Sequence, residues 1–319
     1  MKRLAAIMWM AMLAPACVWA QSGYPNKPVT IVVPFAAGGF SDNVARTWGR
    51  GVSEKWGVPV VIDNRTGAGG NIAGAVVVKA APDGYTLFLA NVATNAINPG
   101  IYKNQGFDGT EDFEPVILIA KTPNVATVNL DVPARSMKEL VELARAQPGK
   151  LSFGTPGNAS SGHMSGEMLK AIAGIRLEHV PYKGSPQVLT DLLNGNLQVA
   201  IDNIITWTPH VNGGRVRALA VTSAKRSPLL PNVPTMDESG FAGYEATSWF
   251  GIAAPKRTPR EVIVKLNADS QPVIDAPEFR TRMTGAEIVG GSPESFRAYM
   301  VSERAKWGKI AKDINLSVD

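Results

Sequence analysis

Short β-branched apolar runs alternate with helix-period segments along this chain, and that alternation restricts the fold more than any other feature. Val29–Phe35 is continuous and β-branched, as a central parallel strand should be. After a loop with two glycines, Asp42 is placed to cap a helix in which Val44, Trp48, Val52 and Trp56 recur every fourth residue. Arg46, Arg50 and Glu54 lie off that stripe, so Arg46 is expected on the solvent face. Val58–Ile62 reads as a second strand, Asn71–Ala80 as a helix and Tyr85–Ala90 as a third strand. Strands joined by helices in this order imply a parallel sheet, which makes the fold class α/β.

The pattern restarts near residue 125, with Val125–Asn129 as a strand. Ser136 and Glu139 form a capping box for a helix carrying Met137, Leu140, Val141 and Ala144, and Pro148-Gly149 stops it. Leu151–Gly154 is a strand, followed by the polar loop TPGNASSG and a helix with Met164, Met168 and Ile172 on one face. After a strand around His179, Ser185-Pro186 opens a helix that Gly195 closes. Leu197–Ile201 and Val216–Val221 add strands, and Thr258-Pro259 and Ser292-Pro293 start two late helices.

A chain of 319 residues can bury two sizeable cores. Residues 1–20, MKRLAAIMWMAMLAPACVWA, have the basic start, apolar stretch and small-residue end of a secretory signal peptide cleaved after Ala20. Its cleavage would remove the only cysteine, Cys17, and would lower the net charge from +5 to +3 with the loss of Lys2 and Arg3. Lipidation at Cys17 is the less favoured alternative, because Ala14-Pro15-Ala16 lacks the usual leucine. An exported chain without disulfides relies on its core, which suits a periplasmic protein. The charges are scattered, with no basic run or aromatic-basic stripe, so nucleic acid is not an expected partner.

"IVVPFAAGGFSDN" and "LSFGTPGNASSGH" share one grammar: strand, small-residue loop, helix start. A nucleotide does not fit the third glycine loop, "DNRTGAGGNIAG": the last fingerprint position is Ile72, and no Gly-Lys-Ser/Thr follows any of these glycines. A tight turn is the better reading of Gly67–Gly70. Catalysis is equally unsupported. His163, His179 and His210 lack metal spacing, "GHMSG" sets its serine one place late for a nucleophile elbow, and Ser160-Ser161 reads as a helix cap. No cofactor and no metal are expected. Anion capture by main chain remains, because free N–H groups and aligned dipoles at a helix start favour a carboxylate without an arginine. Gly38-Gly39 before Asp42 and Gly157–Ser161 before His163 supply two such ends, with Gly39 expected at positive φ. Two ends suit a ligand with two carboxylates.

Seven segments then resemble one family over essentially the whole mature chain. They are "YPNKPVTIVVPFAAGGFSDNVAR", "VIDNRTGAGGNIAG", "PDGYTLFLANVAT", "GTPGNASSGHMSGEM", "HVPYKGSPQVLTDLLNGNLQVAIDN", "RVRALAVTSAKRSPLLPNVPT" and "WFGIAAPKRTP". In that order they are similar to the substrate-binding proteins of tripartite tricarboxylate transporters, the Bug family. The resemblance implies a type II periplasmic binding fold, with two α/β domains, two crossover strands and a ligand cleft between them. It sets one domain at 24–122 plus 249–319 and the other at 123–248, with crossovers near Ile117–Thr122 and Trp249–Ala253.

The resemblance also implies a periplasmic, monomeric, non-catalytic receptor that passes a small di- or tricarboxylate or aromatic acid to a membrane permease. The alternatives from other classes are a small-molecule hydrolase or transferase, and a ligand-reporting component of a signalling system. Carried over residue by residue, the ligand site comprises Phe35, Ala36, Ala37, Gly38, Gly39, Phe40, Ser41 and Asp42, joined by Thr94 and Asn95. From the second half it takes Thr155, Gly157, Asn158, Ala159, Ser160, Ser161 and His163, with Asp202 and Asn203 at the cleft floor. Phe40, Thr155-Pro156 and Trp207 depart from the family's usual residues. Their bulk either shapes the pocket for a flat ligand or packs the core, and packing is the favoured reading.

Overall fold

The computed structural model describes residues 23–318, so the signal-peptide reading of residues 1–20 falls outside the described part. The first unit runs β1 (Val29–Val33), α1 (Phe40–Trp56), β2 (Val60–Asn64), α2 (Asn71–Val78), β3 (Thr86–Asn91) and a short α3 (Asn98–Ile101). A long strand, β4 (Phe113–Val128), leads to α4 (Met137–Ala146), β5 (Ser152–Thr155), α5 (Ser161–Ala173), β6 (Glu178–Pro181) and α6 (Ser185–Leu193). Next come β7 (Val199–Asn203), α7 (Ile204–Asn212), β8 (Arg217–Val221) and β9 (Thr247–Pro255). The chain finishes with α8 (Arg260–Asp275), α9 (Pro277–Arg282), β10 (Glu287–Ile288) and α10 (Pro293–Asp313). Among the described residues, no helix is long and apolar enough to cross a membrane.

The strands form one curled mixed sheet in the order β2-β1-β3-β9-β4-β7-β5-β6, with β10 and β8 also on β4. Within each half the pairing is parallel as expected: β1 with β2 and β3, and β5 with β6 and β7. The joining strands are antiparallel, β9 to both β3 and β4, and β4 to β7 and β8. Sequence reading started the second half at Val125, but β4 is a single strand that changes partners. Residues 113–123 pair with β9, and residues 124–128 pair with β7 and β8. The handover falls at Pro123, which has no N–H to offer a ladder. Asn124 follows it, fully buried, donating its main-chain N–H to Thr222 Oγ1 at 2.9 Å and accepting from Ser161 Oγ at 3.0 Å.

Cores sit on both sides of this sheet. Val29, Ile31, Val33, Val44, Trp48 and Val52 are fully buried together, so the α1 stripe packs on β1 as its spacing requires. Trp56 at its end is partly buried and donates Nε1–H to Asp269 at 2.8 Å. In α5, Met164 and Met168 are buried, but Ile172 is 54% exposed and leaves the expected face. Trp207 belongs to the core under α6 and α7, and its Nε1 donates to Asp202 Oδ2 at 3.3 Å. It packs; it does not line the site. Gly67–Gly70 is the tight turn anticipated, with φ of 121°, 61° and 91° at Gly67, Gly69 and Gly70. A Cβ on Gly70 would lie 2.7 Å from Thr94 and 2.8 Å from Pro34.

Two histidines are part of this packing. His163 and His179 stack with ring centroids 4.0 Å apart, and His179 Nε2 meets Thr155 Oγ1 at 2.8 Å. Burial first, and the positive charge of Lys170 second, lowers His163 to about 4. His179 falls further, through burial, His163 and Lys170. Both rings are therefore neutral at pH 7.

Two predictions follow from these contacts. The Ser136 side chain accepts from Glu139 N at 3.2 Å, while Glu139 reaches back to Arg135 N. Ser136→Ala should therefore lower unfolding free energy by about 1 kcal/mol in urea titrations, with ligand affinity unchanged. For the histidines, the unfolded chain binds protons near 6.5 and the folded chain only near 4 or below. Their contribution to stability is thus complete above pH 6.5 and is lost as pH falls from 6.5 through about 4. An NMR titration should find the His163 ring still neutral at pH 5.5; a midpoint at 6 or above would contradict the packing argument.

Candidate functional site

Three helices begin at one cavity between the two halves. Their sequences explain why each starts there: a small-residue loop precedes α1, Ser160 precedes α5, and Gly184 precedes Ser185-Pro186 at α6. Helix geometry leaves the first N–H groups of each without intrahelical partners. Ser160 Oγ accepts one of them, from His163 N at 3.2 Å, while α1 and α6 have no side-chain cap at all. The cavity holds about 20 Å³ of water-accessible space, within a hollow of about 420 Å³ that takes in open solvent. From the first half its wall takes Phe35, Ala36, Gly39, Phe40 and Ser41, together with Asn91, Val92 and Ala93. The second half gives Pro156, Ser160, Ser161, Gly184, Ser185 and Asn203, and β9 contributes Ser248 and Phe250.

The first loop is tied down from behind. Asp42 is not the helix cap expected of it, since Gly39 occupies that position with φ −84°. Sitting in the first turn, Asp42 accepts from Gly38 N at 2.9 Å, from Arg46 Nε at 2.8 Å and from Asn64 Nδ2 at 3.1 Å. Burial opposes its ionisation, but these bonds from Arg46, Gly38 and Asn64 hold it below the usual carboxylate range. Arg46 therefore braces the loop while keeping half its surface in solvent. Positive φ falls on Gly38, at 86°, and not on Gly39.

Several expected ligand residues lie off the wall for definite reasons. Ala37 and Gly38 are on the exposed side of the loop. Thr94 and Asn95 fold into a π-helical turn, Ala93–Ile97, and are fully buried. Thr94 Oγ1 donates to Asn95 Oδ1 at 2.7 Å, and Asn95 Nδ2 to Gly109 O at 2.6 Å, so they lock the end of β3 behind Asn91. Thr155 is bonded to His179 and Gly157. Ala159, at φ 60°, donates its N–H to His163 Nδ1 at 3.1 Å, and neither residue reaches the cavity. Gly157 and Asn158 line a second, open cavity of about 170 Å³ against Gly67–Gly70 and Tyr182, which meets the first at Phe35 and Pro156.

The floor separates two neighbours. Asn203 lines the cavity; Asp202, on the opposite strand face, is buried beneath it. Burial pushes Asp202 up to about 6, against the pull of bonds from Ser185, the Asn203 main chain, Trp207 and the Asn203 side chain. Ser185 was visible in the sequence only as a helix start, although Gly-Ser-Pro carries the same helix-end logic as the other two loops. Phe40 does face the cavity, set edge-on to Phe250 at 5.4 Å, so its bulk both packs and shapes the wall.

Across the mouth, Ala36 N donates to Lys183 O at 2.9 Å, joining the two halves directly. Gly184 permits that approach, because a Cβ there would stand 2.9 Å from Ala36 Cβ and 3.3 Å from its nitrogen.

The family model described as the tripartite tricarboxylate transporter family receptor matches residues 44–316. A protein in the tcbD-tcbE intergenic region of Pseudomonas sp. (strain P51) is 39% identical over 299 residues, covering 93% of this chain and 89% of its own length. Among solved structures, R. palustris Rpa4515 with adipate has a TM-score of 0.89 at 39% identity, over 92% of this chain and 99% of that one. MatC (Rpa3494) from Rhodopseudomonas palustris with bound malate has a TM-score of 0.87 at 29% identity, over 90% of this chain and 99% of that one. Receptors of this family are periplasmic solute-binding proteins, with a mixed α/β fold like the one described above. The chain belongs to the tripartite tricarboxylate transporter receptor family.

Proposed function

We propose that this protein is a periplasmic receptor that captures a small carboxylate in the cavity at the three helix starts and delivers it, unaltered, to a tripartite-tricarboxylate-type permease. The observation that carries this reading is the convergence of α1, α5 and α6 on one buried space, which offers main-chain donors and positive dipole ends to an anion. Adipate and malate in the two related structures are both dicarboxylates, which accords with more than one anion-binding end. The titratable groups nearest the cavity serve the scaffold: His163 accepts from Ala159, and Asp202 accepts from Asn203 and Trp207. In this reading the two halves are domains, residues 24–122 plus 249–319 and residues 123–248. They rock about β4 and β9 to admit the ligand, with the signal peptide removed and the receptor monomeric.

A thermal-melt screen of the chain from Gln21 onward should find stabilisation by aliphatic or aromatic carboxylates. A ligand at a hundred times its Kd adds about 2.7 kcal/mol. Amino acids, sugars and phosphate esters should leave the melt unmoved; a response to those classes alone, or steady conversion of a bound acid to product, would overturn the proposal.

Gly184→Ala is the sharper test of closure. The extended backbone there, at φ 166°, suits any residue, so the substitution acts only through its contact with Ala36. Folding should be retained, while affinity for the acid found in the screen drops about tenfold, equivalent to about 1.4 kcal/mol. Unchanged affinity by calorimetric titration would mean that the Ala36–Lys183 bond does not contribute to capture.

A further inference from the structure

Asn203 has one hydrogen-bonding atom with nothing to bond. The residue is 8% exposed, it lines the cavity, and its Oδ1 is buried without a partner. The other half of the amide fixes its orientation: Nδ2 donates to Asp202 Oδ1 at 3.3 Å, and turning the amide over would set two oxygens against each other. Asp202 itself cannot turn away, since it also accepts from Asn203 N at 2.7 Å and Trp207 Nε1 at 3.3 Å. The Ser161 hydroxyl proton, close by, is already committed to Asn124 Oδ1. A buried acceptor left unpaired is costly, so the cavity favours an occupant that brings it a donor.

A carboxylate brings only acceptors. Resting on the carboxylate reading above, we propose that the ligand also carries a hydroxyl group, which donates to Asn203 Oδ1 while its carboxylates meet the helix starts. A hydroxyl fits better than an ammonium, because three positive helix ends face this space and the buried carboxylates behind its wall, Asp42 and Asp202, are already engaged. The pocket thus discriminates a hydroxy acid from the plain acid of equal length, and Asn203 is the residue that does so.

Matched pairs test this by calorimetric titration: succinate against malate, and adipate against 2-hydroxyadipate, with aspartate as the ammonium-bearing arm. In the wild-type protein the hydroxy acid of the better-fitting length should bind about ten- to a hundredfold tighter than its plain partner, and aspartate more weakly than malate. Asn203→Leu, with Asn203→Ala as the smaller replacement, should erase that preference by weakening only the hydroxy acids. Equal affinities within each pair in the wild type would sink the proposal while leaving carboxylate capture standing, and this arm needs no variant to fold. Tighter aspartate binding would assign the donor to an ammonium instead. A selective loss of the plain acids in Asn203→Leu would show that the amide donates to a carboxylate. No binding of any acid would remove the carboxylate reading and this one with it.

Discussion

Unpaired main-chain N–H groups are the constraint around which this protein is arranged. An α-helix cannot satisfy its own first donors, and three helices here bring theirs to one buried place. Two of the three start without a side-chain cap, at Gly39 and Gly184, so neither supplies its own substitute anion. Glycine at both positions also lets the two halves approach each other. The same residues that leave donors free therefore allow the walls to close around whatever accepts from them.

Charge is kept one layer back. Asp42 is bonded to Gly38, Arg46 and Asn64, and Asp202 to Asn203 and Trp207; each carboxylate orders a piece of the wall without standing on it. An acid on the wall would repel a carboxylate ligand, while a buried one beneath orients neutral dipoles toward it. Arg46 follows the same plan. It neutralises Asp42 from the solvent side, so the loop keeps its shape without presenting a cation to the cavity.

Local physics made much of this legible in the sequence. The apolar run of β1, the fourfold stripe of α1 and the Ser136–Glu139 cap are short-range patterns, and the structure keeps them. Strand β4 was read short because Glu114, Pro115, Lys121 and Pro123 interrupt its apolar pattern, and only pairing with β9 reveals one continuous strand. From the loops before helices, Phe35, Ala36, Gly39, Phe40, Ser41, Ser160 and Ser161 line the cavity. Thr94 and Asn95 lie behind the wall because a π-helical turn draws them inward, which residue spacing does not announce. The Asp202-Asn203 pair shows a stricter limit: adjacent strand residues face opposite ways, so only one of them was able to reach the cavity. Ser185 was missed because its relevance depends on α6 lying against the first loop, a tertiary fact.

In the rocking motion proposed above, the β4–β9 ladder sets how the two halves move. From Phe113–Pro255 to Pro123–Thr247, the strands are joined side by side, with register shifts near Pro115 and Leu118. Sliding or splaying would break several bonds at once, whereas curling spreads small dihedral changes over many residues. The ladder therefore acts as a leaf spring with one soft direction. Strand β1, which carries the Ala36 loop, lies two strand spacings from β9, an arm of about 10 Å. A curl of about 10° over that arm shifts the loop by about 2 Å, beyond hydrogen-bond reach of Lys183. Very little bending at the spine is enough to unfasten the mouth.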